Sequence, residues 1–144
     1  MSNNVIAAIL GVIAAAIAAL ILSPVVYIVF NAFFELYIFT EPPKGAWIND
    51  AIIITTVLLW IFAASMAGGY ICSKYSERKE DFSILLFIIF SFIILLLVYG
   101  LHFLDEWMMA IPIATFIIGA RVGNLLWLRK KKRIEKTKSA TEIE

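Results

Sequence analysis

Arg121 is the residue whose type and setting bear most directly on chemistry. It stands inside an apolar stretch, residues 107–128, eight positions before Arg129. On a helix that spacing is about 12 Å of rise. A guanidinium at that depth in hydrocarbon costs free energy unless it reaches water or meets an anion. Two environments satisfy it. It can snorkel toward the nearer interface, or it can grip a lipid phosphate or a carboxylate of another chain through paired hydrogen bonds. No acid of matching depth occurs in the apolar stretches. Glu77 and Glu80 belong to a connecting loop, and Glu35 lies toward the opposite end. Asn124 follows Arg121 by three positions and is expected near its face. Arg121, Asn124 and Glu35 are therefore the candidate contacts to a partner or to lipid.

The one histidine, His102, precedes Asp105 and Glu106 at i, i+3 and i+4. On a continuous helix these side chains would share a face and could touch one cation. A turn is expected at Asp105-Glu106, where the two carboxylates suit the start of the next helix. One imidazole and two carboxylates without a second cluster fall short of a metal centre. No metal and no cofactor is expected. Nucleophilic catalysis finds no constellation either. Ser23, Ser65, Ser73, Ser83 and Ser91 are scattered, and the only imidazole lies far from Ser65 and Ser73. There is no phosphate-binding Gly-x-x-x-x-Gly-Lys loop and no Cys/His zinc set. The single cysteine, Cys72, cannot form an intramolecular disulfide or a redox pair and reads as a packing residue. The chain is thus not expected to be an enzyme.

These residues sit on a chain of 144 residues that is 62% hydrophobic and 16% charged. The apolar residues fall in blocks of about twenty, the length that crosses a bilayer as a helix. The expected fold is all-α: an integral membrane protein with four transmembrane helices arranged as two antiparallel hairpins. The spans are placed at about 5–27, 51–73, 82–104 and 107–128, within one domain covering 1–128. Met1-Ser2-Asn3-Asn4 carries no basic residue, and the apolar run after it outlasts a signal core, so the first block is read as a retained span. Pro24 is expected to bend that span, since proline lacks a backbone donor. Residues 28–40 then form an outer interfacial segment or a prolongation of the helix, with Phe30, Phe33, Phe34 and Tyr37 at helical spacing. Glu41-Pro42-Pro43-Lys44-Gly45 ends it. Asp50 is expected to cap the second helix. Pro112 falls in the first turn of the fourth, where it costs little.

Basic residues set the orientation. The loop 74–81 and the tail 129–144 hold ten of the twelve, and the opposite loops hold only Lys44. Cytoplasmic segments carry that excess, so both termini are placed in the cytoplasm and the chain in the plasma (inner) membrane as a multi-pass protein. Five basic residues are consecutive, Arg129 to Arg133, directly after a span. They point to anionic lipid and away from nucleic acid. The tail itself lacks an apolar face, and disorder is expected at its end.

Small residues mark the expected helix contacts. Ala7, Gly11, Ala15 and Ala19 step by four along the first span, Gly68 and Gly69 adjoin in the second, and Gly119 and Gly123 are four apart in the fourth. In lipid, where no hydrophobic effect drives helices together, such positions allow close backbone approach. The third span, rich in Ile, Leu and Phe, is expected to face lipid more. The function expected from this balance is that of a non-enzymatic accessory or structural subunit, packing against itself or other membrane subunits. The alternative is a small oligomeric transporter or channel with a site shared between protomers.

Overall fold

The structure is a computed structural model that describes residues 3–39, 46–76, 80–99 and 110–141. Among these residues it is all-helical, with four helices: α1 (Asn3–Phe39), α2 (Ala46–Tyr75), α3 (Glu80–Tyr99) and α4 (Ala110–Thr141). No strand occurs among the described residues. Three helices contain stretches long and apolar enough to cross a membrane: Asn3–Val29, Ala51–Tyr75 and Ala110–Thr137. Large apolar side chains lie uncovered on the outside, with Leu20 at 71% and Ile21 at 70% exposure. A surface this apolar suits lipid and would be a liability in water.

The first helix runs unbroken through Pro24 to Phe39. Proline removes the N–H that would bond the carbonyl four residues earlier, which here belongs to Leu20. The hydroxyl of Ser23 donates to that same carbonyl at 2.8 Å. The Ser-Pro pair therefore removes one donor and supplies another, as membrane helices require of their prolines. The side chains of Glu35 and of the aromatics at 30, 33, 34 and 37 lie outside the described residues, so their interfacial placement does too.

Two boundaries differ from the sequence expectation. The second helix starts at Ala46, directly after Pro42-Pro43-Lys44-Gly45. Asp50 is its fifth residue and does not cap it. The proline-glycine stop sets the start, and the helix extends back to meet it. The fourth helix continues through the basic run to Thr141, well past the expected end of the span at 128, while residues 142–144, where disorder is expected, lie outside the described residues. A helix already nucleated by an apolar span propagates cheaply into Lys, Arg and Glu, which are good helix formers.

α2 is the centre of the bundle and packs most extensively on α1 and α4. Along α1 and α2 the numbering runs in opposite senses, with Ser76 Oγ near Asn4 Oδ1 (3.4 Å) and Trp60 Nε1 donating to Ala19 O (2.9 Å). Along α2 and α4 it runs in the same sense. α3 is the least engaged helix, yet it supplies the two largest fully buried side chains, Phe87 and Ile84. They sit among Ala7, Ala8, Cys72 and Ala120. Small residues on α1 and α2 leave a hollow, and one bulky helix fills it. Apolar composition alone does not tell such a side chain from its exposed neighbours Leu85 and Ile89.

Candidate functional site

The most constrained part of the molecule is the seam on either side of α2. Gly68 and Gly69 are adjacent, so they point about 100° apart. Gly68 faces α1, where an added Cβ would lie 2.8 Å from Gly11 O and 2.9 Å from Ala15 Cβ. Gly69 faces α4, where a Cβ would lie 2.8 Å from Ala120 Cα and collide with its carbonyl oxygen. A two-glycine step thus lets one helix receive two backbones. On α4 the counterparts are Gly119, packed on Phe62 and Ser65, and Gly123, packed on Met66 and Tyr70. These pairs make a row stepping by four on each helix, closed by Tyr70 against Trp127 edge to face at 5.7 Å. The steps of four follow the helix repeat, which keeps both rows in register.

Polar groups sit beside this seam toward the C-terminal end of α2. Ser73 Oγ lies 2.8 Å from Gly69 O and 3.1 Å from the Asn124 side-chain amide. A serine hydroxyl has one proton. That proton is shared between two acceptors, Gly69 O and Asn124 Oδ1. Ser73 is fully buried and Asn124 is 4% exposed. Ser76 and Ser83 are bonded to each other at 2.8 Å, which ties α2 to the start of α3. Thr56 and Thr115 return their hydroxyls to helix carbonyls, Ile52 O and Ile111 O, as is usual for threonines inside membrane helices. No buried side-chain nitrogen or oxygen among the described residues lacks a partner.

The sequence candidates divide. Gly11, Gly68, Gly69, Gly119 and Gly123 all pack against neighbouring helices of this chain, with Ala7 buried, Ala15 against Gly68 and the Ala19 carbonyl bonded to Trp60. Asn124 turns toward α2 and Ser73, and Arg121 stands exposed on another face of α4. They do not form one site. The reason is the partner on α2: a buried amide requires a hydrogen bond, and Ser73 provides it. Arg121 is two positions from each of Gly119 and Gly123, about 200° around the helix, so the face that meets α2 excludes it. His102, Asp105 and Glu106 lie outside the described residues. No group of three or more potential metal ligands occurs among those described. The sequence reading missed Trp60, whose indole joins two helices by a hydrogen bond to backbone. The available signal was position, since Trp60 lies mid-span and not in an interfacial belt.

No protein-family model, curated protein or solved structure matches the chain.

Proposed function

We propose that the chain crosses the plasma membrane four times as two antiparallel helical hairpins and acts as a non-enzymatic accessory or structural subunit of a membrane complex. Both termini and the 74–81 loop lie in the cytoplasm. The third helix, at 20 residues, is about 30 Å long, the thickness of the hydrocarbon. The last turn of α2 carries Lys74, and the connection from it to the first turn of α3 carries Arg78 and Lys79.

One observation carries the functional reading. Among the described residues, the interior polar atoms are paired, and the small-residue faces pack on helices of the same chain. The interior is devoted to holding four helices together. What remains for a partner is the outer surface, which carries apolar side chains such as Ile117, Ile118 and Leu125 on α4. A surface of this kind suits another membrane helix.

Mild-detergent purification from native membranes tests the assignment. A stoichiometric membrane partner, or a stable self-oligomer, is the expected result. A chain that purifies alone as a stable monomer would count against this reading, and ion flux in liposomes would replace it with that of a small oligomeric transporter or channel whose site is shared between protomers. For the topology, Cys72 is replaced by serine and new cysteines are placed at Lys44 and Arg78. An impermeant thiol reagent applied outside should label the first and spare the second; the reverse pattern overturns the orientation.

A further inference from the structure

The helical course of α4 beyond its apolar part changes what its basic run can do. Leu128 is followed by Arg129, Lys130, Lys131, Lys132 and Arg133, all exposed and all within the helix. Successive helical residues are separated by 100°, so five of them sweep the whole circumference within about 6 Å of axis. The result is a ring of charge and not a stripe. Trp127, one residue earlier, packs on Tyr70 of α2. The ring therefore begins two residues beyond a contact that still ties α4 to the bundle.

We propose that Arg129 to Arg133 form a cationic collar that gathers anionic lipid headgroups around α4 where it leaves the membrane. The inference rests on α4 crossing the bilayer, as argued above. Geometry separates lipid from the other anionic occupants. An acidic polypeptide docks along one helix face and would be met by basic residues at i, i+3, i+4 and i+7. A nucleic acid would likewise approach from one side. Headgroups surround a helix at a single depth, and a ring at a single depth meets them. The collar also lies within a Debye length, about 8–10 Å at 0.10–0.15 M salt, of the last apolar residue, so it still feels the surface there and loses that attraction as salt rises. Farther along the same helix the charges thin out and mix, with Ile134 and Glu135 before Lys136. One basic residue near an anionic surface contributes ~1 kcal/mol, which is about fivefold in local lipid preference.

The test uses the full chain in phosphatidylcholine vesicles doped with spin-labelled phosphatidylserine or spin-labelled phosphatidylcholine. Electron paramagnetic resonance reads the fraction of each lipid that is motionally restricted by the protein. Wild type should restrict phosphatidylserine severalfold more than phosphatidylcholine, and the preference should fall as salt is raised. Replacing all five residues with Gln should bring the ratio to about one, and replacing Arg129 and Arg133 with Lys should keep it. A second variant keeps all five charges but spaces them on one face of residues 129–141. It should lose part of the preference, because fewer charges remain at headgroup depth. Equal restriction of the two lipids by wild type, or a preference that survives the Gln replacement, overturns the collar. So does capture of an acidic polypeptide or RNA by wild type that shows no phosphatidylserine preference. Alkaline washing of the same vesicles separates the two levels of failure. A chain that stays in the membrane without lipid preference refutes the collar alone, and a chain that washes off refutes the crossing.

Discussion

Replacing Gly69 with alanine tests one of the closest backbone approaches in the bundle. The new methyl would lie 2.8 Å from both the carbonyl carbon and Cα of Ala120, and nearer still to the carbonyl oxygen. Carbon atoms rest about 3.5–4.0 Å apart. The obstacle is backbone, so no side chain can swing aside, and α2 and α4 must part by roughly 1 Å. Two terms oppose each other. Alanine gains up to ~1 kcal/mol over glycine in intrinsic helix propensity. Parting the helices forfeits a quarter to a half of each dispersion contact along the seam, and overpacking of this kind costs ~1–3 kcal/mol. It also stretches the 3.1 Å contact of Ser73 with Asn124, worth ~0.6 kcal/mol in a membrane protein. The sum is a net loss of about 1–2 kcal/mol. Gly11→Ala is the comparison. Its methyl would meet Cys72 Cβ at 2.9 Å, Gly68 O at 3.0 Å and a Phe87 ring carbon at 3.1 Å. Cys72 Cβ and Gly68 O are fixed to the α2 backbone, so α1 and α2 must also part, by roughly half an ångström; the loss is expected to be smaller than for Gly69→Ala, where a backbone oxygen is met closer still. Reversible unfolding in mixed micelles by added dodecyl sulfate, followed by tryptophan fluorescence, measures both. Ala114, exposed on α4, replaced by Leu is the control for a lipid-facing change. The reasoning is refuted if Gly69→Ala is as stable as wild type, or if Gly11→Ala costs more than Gly69→Ala.

Further outcomes follow from single contacts. In a double-mutant cycle, Ser73→Ala and Asn124→Leu should couple by roughly 0.6 kcal/mol, and up to ~1.7, in the same unfolding assay; independent effects would mean the pair is not bonded. Ser23→Ala should destabilise by about 1 kcal/mol, because Leu20 O loses the donor that replaces the missing backbone N–H. The same change in a Pro24→Ala background should cost much less, since alanine at that position restores the backbone donor; equal costs would show that the hydroxyl does not serve the proline gap. Arg121→Lys keeps the charge but loses the planar fork. If Arg121 grips a phosphate or carboxylate, association with a partner in mild detergent should weaken with Lys and weaken further with Leu. Wild-type behaviour of both variants would end that assignment.

The sequence by itself determined the all-helical class and the apolar stretches of α1, α2 and α4. Both follow from local quantities, namely runs of apolar residues about twenty long and the breaks at Pro42-Pro43 and Gly45. It also marked the close-contact positions, because small residues let backbones approach, and a glycine pair four apart is visible without coordinates. Tertiary structure decided how those positions are used. Gly119 and Gly123 fit any neighbouring helix, and only the packed chain assigns them to α2. Ile84 and Phe87 are chemically like the exposed Leu85 and Ile89, so burial could be assigned only once the hollow beside Gly11 and Gly68 existed. Asn124 and Arg121 are three residues apart and both polar. The presence of Ser73 opposite one of them, 51 residues away in sequence, drew Asn124 inward and left Arg121 outside. The helical tail belongs with these. Its charges were plain in the sequence, but their arrangement as a ring depends on the helix that α4 carries past its last apolar residue.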